Sequence, residues 1–266
     1  MKVNDFIKLK KNNEKITMIT AYDFFSAKIC NDNKIDVILI GDSLGMAVYG
    51  FEDTLSVTVD DIVRHSQAVK KGAPDCFLIA DMPYMSYHLN IEDSKKNAAR
   101  LIVEGKADSV KIEGGSKSRI ETIKALIDCE IPVVGHLGLT PQSIHKFGGF
   151  KVQGKHKDQQ QEILAQALAL QDAGVFMIVL EAIPEELGKL ITEKLNIPSI
   201  GIGAGRYTDG QVLVWHDLLG LSNVETKFSK KYLNCGELIS SALKNYIDEV
   251  KKNDFPKKEN IYYPID

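Results

Sequence analysis

Five short apolar runs in this chain each end on a side chain that can bind a cation or move a proton. They are VILIG before Asp42, FLIA before Asp81, VKI before Glu113, PVVG before His136 and MIVL before Glu181. A run of about four to six aliphatic and β-branched residues reads as a strand covered on both faces, the kind a parallel sheet buries. An ionised carboxylate has no packing role at the end of such a strand, because Asp and Glu are rarely buried unless paired or bound to metal. One such ending constrains little. Five in succession place one layer of reactive groups on one rim of a parallel β-structure, which is where α/β barrels keep their chemistry.

The segments between the runs read as helices. TVDDIVRHSQAVKKG offers a threonine cap, acids in the first turn and a glycine stop. IEDSKKNAARLIVEG has apolar spacing of three and four and again stops at glycine. Further helices are expected over SRIETIKALIDCE, over residues 158–173, over PEELGKLITEKL from Pro184, and over GELISSALKNYIDEVKK. Residues 17–21 give a first strand, PSIGIG a seventh, and QVLVWHD either an eighth strand or the start of a helix. Two long loops interrupt the pattern, SLGMAVYGFEDTLSV and the stretch from Leu137 to about Lys157. Loops of that length inside a domain are usually lids or binding loops. Seven or eight strand–helix alternations favour closure over an open sheet. The expected fold class is α/β, a (β/α)8 TIM barrel filling residues 1–266 as one domain, with a short tail from about residue 254.

The length of 266 residues suits one such barrel. A net charge of −3 supplies no field to draw the chain to nucleic acid or an acidic membrane. The start, MKVNDFIKLKKNNEK, lacks the apolar core of a secretory signal, and no stretch nears the ~18 apolar residues of a spanning helix. A cytoplasmic protein is expected. Cys30, Cys76, Cys129 and Cys235 lie too far apart for a zinc or redox motif and read as reduced thiols.

Asp42 and Asp81 end strands that are consecutive in the chain. Either alone could cap the turn that follows it. Together, with Glu113 one strand further on, they read as oxygen ligands for a hard cation, and magnesium fits a site of one or two carboxylates completed by water and substrate oxygens. Glu113 adds a third contact, direct or through water. Ser43 sits in a glycine-containing turn, where a hydroxyl and backbone N–H groups can hold a carboxylate, or where a serine simply closes the turn. Lys111 lies two residues before Glu113, so both point to one face. A lysine inside an apolar strand needs an anionic partner, and a closed barrel has no solvent-facing edge strand to offer instead. His136 is either a hydrogen-bonded core residue or part of the rim chemistry. Glu181 is the best candidate for a proton-transfer base, with a salt bridge to a cation such as Lys111 as the alternative. GIGAG at residues 201–205 reads as a tight strand-to-helix turn in preference to a phosphate cradle.

At these residues the chain resembles a known family. GDSLGM (41–46), KGAP (71–74), VKIEGG (110–115), GHLGLTPQS (135–143), GGFKVQG (148–154) and GIGAG with the following TDGQ are similar to the ketopantoate hydroxymethyltransferases, in order over roughly residues 1–255. The resemblance implies a barrel of the phosphoenolpyruvate/pyruvate-like type. It implies transfer of a hydroxymethyl group from 5,10-methylenetetrahydrofolate to 3-methyl-2-oxobutanoate through a magnesium-stabilised enolate, the first step toward pantothenate and coenzyme A. On matching motifs, Asp42 and Asp81 would bind magnesium directly and Glu113 would hold its outer shell. Ser43, Lys111 and His136 would hold the oxoacid together with the metal-bound Asp42 and Asp81, and Glu181 would be the base. A homo-oligomer, a decamer by resemblance, is implied as well. Two rivals share such a rim. A magnesium-dependent carbon–carbon lyase or mutase of the isocitrate lyase type would work without folate, and a binding barrel with a structural cation would show no proton exchange at the oxoacid.

Overall fold

The structure is a computed structural model that describes residues 1–222 and 226–265. Asp266, the last residue of the expected tail, lies outside the described residues. The chain divides into two compact units, Met1–Trp215 and His216–Asp266.

The first unit opens with α1 (Val3–Lys11), β1 (Ile16–Thr20), α2 (Phe24–Asp32) and β2 (Val37–Ile40). The first long loop holds α3 (Leu44–Ala47) and leads to α4 (Val59–Gly72) and β3 (Phe77–Asp81). Then come α5 (Ile91–Val103), β4 (Ser109–Glu113), α6 (Lys117–Ile127) and β5 (Val133–Gly138). The second long loop carries α7 (Ile144–Phe147), followed by α8 (Lys157–Ala173), β6 (Met177–Glu181), α9 (Glu185–Lys194), β7 (Ser199–Ile202), β8 (Gly210–Leu213) and α10 (Trp215–Leu218). The eight strands pair in chain order, all parallel, and β8 returns to β1, so the sheet is a closed barrel.

The expected helix starts are built as their sequences suggest. Thr58 and Asp61 exchange backbone and side-chain bonds in a capping box at α4, and the Asn90 side chain caps α5. QVLVWHD is shared between two elements, strand through Leu213 and helix from Trp215. GIGAG differs from expectation, because it joins β7 to β8 with no helix between them. Gly203 and Gly205 take left-handed backbone angles there, φ 66° and 81°. Gln211 Nε2 donates to Gly205 O and Thr208 Oγ1, both at 2.8 Å, so side-chain bonds satisfy the turn in place of helical ones.

Side chains alternate across each strand, and the inward positions form one apolar column. It contains Val37, Leu39, Phe77, Ile79, Val134, Met177, Val179, Ile200 and Val212. One end is plugged by α1, whose Phe6 ring meets Phe77 edge-on at 5.0 Å and Phe176 at 6.1 Å between centroids. Nothing in the sequence had marked α1.

At the other end the inward stripe changes character. The next inward position after Ile79 is Asp81, after Val134 it is His136, and after Val179 it is Glu181. The chain leaving β5 is tied to the end of β6. Leu139 N–H donates to Glu181 O at 2.8 Å, and Gln153 N–H donates to Ala182 O at 2.9 Å. Gly138, at φ 95°, makes the approach possible, because a Cβ there would run into the Glu181 carbonyl oxygen.

The second unit contains α11 (Cys235–Lys251), none of whose residues is buried. It exposes Leu238, Ile239, Leu243, Tyr246, Ile247 and Val250. Among the described residues, no helix is long and apolar enough to cross a membrane.

Candidate active site

All seven residues singled out from the sequence lie on the carboxyl side of the barrel strands. Asp81, Lys111, Glu113, His136 and Glu181 stand on β3 to β6, and register sets Asp81 beside Lys111, Glu113 beside His136, and Gly138 beside Glu181. Asp42 and Ser43 follow β2 in the turn after Gly41, two and three residues beyond Ile40. The turn suits that placement, since a Cβ on Gly41 would lie 2.7 Å from Ser43 Oγ and 3.4 Å from Asp81 Oδ2.

Most of them are joined by hydrogen bonds or ion pairs. Asp42 N–H donates to Asp81 Oδ2 at 3.0 Å. Asp81 Oδ1 pairs with Lys111 Nζ at 2.9 Å. Lys111 Nζ is 3.2 Å from His136 Nδ1, which is also 3.3 Å from Glu113 Oε1. His136 Nε2 is 3.2 Å from Glu181 Oε2. Ser43 Oγ stands apart from that chain and shares a 2.8 Å hydrogen bond with Tyr22 OH. Asp42, Asp81, Lys111, Glu113 and His136 are each 2–5% exposed. The Glu181 side chain retains 15%.

Burial and crowding set the protonation of this group. Burial, with the charges of Asp81 and Glu113, pushes the Asp42 carboxyl well above the usual carboxylate range. Burial also raises Asp81, against the pull of Lys111. For Glu113 burial works upward, but the His136 hydrogen bond and neighbouring cations prevail and the carboxyl is held low. Burial works against the charged form of Lys111, yet Asp81, Glu113 and Asp42 outweigh it and hold the ammonium protonated. Burial and Lys111 press His136 down, while Glu113 and Glu181 lift it further, to about 9. His136 is therefore an imidazolium near neutral pH, ion-paired through Nδ1 with Glu113 at 3.3 Å and through Nε2 with Glu181 at 3.2 Å.

The donor set suits a divalent cation. Were all four carboxylates (Asp42, Asp81, Glu113 and Glu181) ionised, they would leave two negative charges against one ammonium and one imidazolium, and without a cation that excess is relieved by the proton that burial favours on Asp42. A hard dication cancels that excess. Asp42 Oδ2 accepts from Gln142 Nε2 at 2.8 Å, and among the described residues Oδ1 has no hydrogen-bond donor. Glu113 is differently placed, with Oε1 against His136 and Oε2 accepting from Gln142 N–H at 3.0 Å. Among the described residues, no three His, Cys, Asp or Glu side chains form a closed metal cage. Asp81 is engaged at both oxygens as well, by Lys111 and by Asp42 N–H. Of Asp42, Asp81 and Glu113, only Asp42 therefore keeps an oxygen without a donor among the described residues, and a cation here would draw on it, on a remaining lone pair of Asp81, and on water or substrate oxygens.

Three residues of the site carry no sequence signal of their own. Gln142, 6% exposed, touches both Asp42 and Glu113. Tyr87 donates to Gln142 Oε1 at 2.6 Å and accepts from Glu113 N–H at 3.3 Å. Tyr22 holds Ser43. The long loop that supplies Gln142 was expected to be functional, and this residue lies inside GHLGLTPQS.

Fold and rim together define a (β/α)8 barrel with its ionisable side chains gathered at the carboxyl end of the strands, the place where barrel enzymes carry their active sites. A family model described as ketopantoate hydroxymethyltransferase matches residues 1–258. The chain belongs to the ketopantoate hydroxymethyltransferase family. It is 53% identical to a 3-methyl-2-oxobutanoate hydroxymethyltransferase of Clostridium kluyveri, over 97% of this chain and 92% of the relative. It is 51% identical to the enzyme of the same name from Thermosipho melanesiensis, over 98% of both chains. Among solved structures, a phosphonopyruvate hydrolase complexed with oxalate and magnesium aligns with TM-score 0.63 at 12% identity, covering 98% of this chain and 93% of its own. A 2,3-dimethylmalate lyase of the PEP mutase/isocitrate lyase superfamily aligns with TM-score 0.61 at 14% identity, covering 98% and 92%. At those identities the likeness is one of fold.

Proposed function

We propose that this chain adds a hydroxymethyl group to C3 of 3-methyl-2-oxobutanoate, taking the carbon from 5,10-methylenetetrahydrofolate and giving 2-dehydropantoate and tetrahydrofolate. The observation that carries the activity is identity of about half to hydroxymethyltransferases of that name along nearly the whole chain. Folate as the carbon donor rests on the family resemblance.

Magnesium would be held by Asp42 and Asp81, with Glu113 behind it in the outer shell. Bound there, it would supply positive charge next to the keto oxygen, where negative charge builds as C3 loses its proton. The remaining work falls to the chain's own side chains. Lys111, held protonated, and the Ser43 hydroxyl bind the oxoacid's carboxylate and keep its C3–H in one orientation before the proton moves. His136 bridges Glu113 and Glu181 and so fixes the Glu181 carboxylate. Glu181, the least buried of the four acids, takes the C3 proton. Water takes the methylene carbon off the carrier as formaldehyde, breaking both of its carbon–nitrogen bonds and leaving two protons on the nitrogens of tetrahydrofolate. The C3 carbanion adds to that carbon, and the alkoxide formed takes the proton held by Glu181. Burial of the rim keeps bulk water off the carbanion and leaves Glu181, its most exposed acid, as the route by which a solvent proton reaches C3.

The family's ring assembly is proposed for this chain too. The apolar face of α11 supports it, since contiguous exposed apolar surface marks association sites.

The decisive experiment is an assay of the purified protein with the oxoacid, with and without methylenetetrahydrofolate and with and without magnesium. Formation of 2-dehydropantoate only when both are present is expected. Turnover of an oxoacid without folate would replace this reading with a lyase, and full activity in chelator would remove the metal from it.

A further inference from the structure

The long loop after β5 sends one uncharged side chain into the charged rim, and that residue reaches three strand ends, two through its side chain and one through its backbone N–H. The two amide hydrogens of Gln142 face two acceptors, Asp42 Oδ2 at 2.8 Å and Met82 O at 3.0 Å. Its amide oxygen accepts from Tyr87 OH at 2.6 Å. Its backbone N–H donates to Glu113 Oε2 at 3.0 Å. Tyr87 closes the circuit by accepting from Glu113 N–H at 3.3 Å. A flipped amide would set its oxygen against a carboxylate and a carbonyl, so the network allows one orientation.

We propose that Gln142 is a positioning residue for the cation site, holding the Asp42 carboxylate in one rotamer and clamping Glu113 behind it. The proposal rests on the reading of Asp42 as a magnesium ligand. Its logic is that of charge as well as shape. A lysine at this position would neutralise Asp42 and compete with the ion. A glutamate would add a like charge to a carboxylate already crowded by Asp81 and Glu113. A neutral amide fills both of its donor positions, satisfies Oδ2, and leaves Oδ1 as the oxygen free to bind metal. Groups that orient ligands in this way commonly set metal affinity as strongly as the ligands' own placement.

The test is a calorimetric magnesium titration of the chelator-stripped, full-length protein as wild type, Gln142→Ala and Tyr87→Phe, with thermal midpoints measured alongside. Gln142→Ala is expected to weaken magnesium binding about 10–100-fold. Tyr87→Phe, which keeps both amide donor bonds but unlocks the amide's orientation, is expected to show a smaller loss of the same sign. In assays, excess magnesium should restore kcat and the oxoacid KM of Gln142→Ala toward wild type. Wild-type magnesium affinity in a folded Gln142→Ala protein overturns the proposal, as does a kcat loss that excess magnesium does not repair. Should Gln142→Ala fail to fold, Tyr87→Phe decides, and unchanged affinity there overturns it equally. No binding heat from wild-type protein would overturn the metal reading first and this role with it, so the wild-type trace separates the two failures.

Discussion

The two ends of the barrel are built from the same strands and are equally dry, yet they are chemical opposites. At one end Phe6, Phe77 and Phe176 pack edge-on and tilted against one another with no polar atom among their side chains. At the other, carboxylates, an ammonium and an imidazolium, all but Glu181, occupy positions no more exposed than those rings. The step between the two regimes is short. On β3 it runs from Ile79 to Asp81, and on β6 from Val179 to Glu181. Burial of apolar surface stabilises at roughly 25 cal/mol per Å². Burial of charges at best breaks even, and only when every partner is in place. The apolar end therefore holds the barrel together, and the charged end is carried by it for the sake of chemistry.

That division can be broken most directly at the charged end. Glu181→Gln should slow the magnesium-dependent exchange of the oxoacid's C3 hydrogen in deuterated water about 10²–10⁴-fold, with little change in oxoacid binding or thermal midpoint. Exchange at the wild-type rate, followed by NMR, would take the base assignment away from Glu181. The apolar end should respond in the opposite sense. Phe6→Ala should cost about 3–5 kcal/mol of unfolding free energy in denaturant titrations, while the folded fraction keeps its kcat. A folded Phe6→Ala enzyme with lost turnover would show that the two ends are not separable.

The third test sharpens the contrast through pH. His136 ordinarily would titrate near 6.5 and in the folded protein does so at about 9. A group whose folded value is raised adds stability that is complete below the unfolded value and fades as pH climbs through the folded one. The magnesium-free protein should therefore lose about 1–3 kcal/mol between pH 6.5 and 9 on this account. Asp42 also carries a raised value, so the quantity to measure is the slope difference between wild type and His136→Gln. The Phe6→Ala penalty should be the same at both pH values. An identical slope in His136→Gln would place the titration elsewhere.

Strands were the most legible part of the sequence, because both faces of a closed parallel barrel are covered and the strands read as unbroken apolar runs. The residues after those runs were legible for the same reason, since a charge following such a strand has nowhere apolar to go. α1 was hidden because it is short: Val3 and Leu9 join Phe6 against the core, but three apolar contacts within nine residues, followed by KKNNEK, give too little period to read. The turn at GIGAG misled because its helix is replaced by side-chain bonds from Thr208 and Gln211, which local spacing does not encode. Gln142, Tyr22 and Tyr87 were unreadable for a different reason. Each acquires its role from a partner on another element, Asp42 a hundred residues from Gln142 being the extreme case, and a lone polar residue in a loop has no period to betray it.

The tether between the second long loop and the end of β6 has a mechanical consequence. Both feet of that loop, Leu139 and Gln153, are pinned to the backbone of Glu181 and its neighbour Ala182. A swing of the loop would pivot on a line passing through the backbone of Glu181, the residue proposed above as the base. On the role proposed for Glu181, the length of that loop and the aim of the carboxylate are set by the same two hydrogen bonds, and a residue inserted between Leu139 and Gln153 would be felt at the acid as well as in the loop.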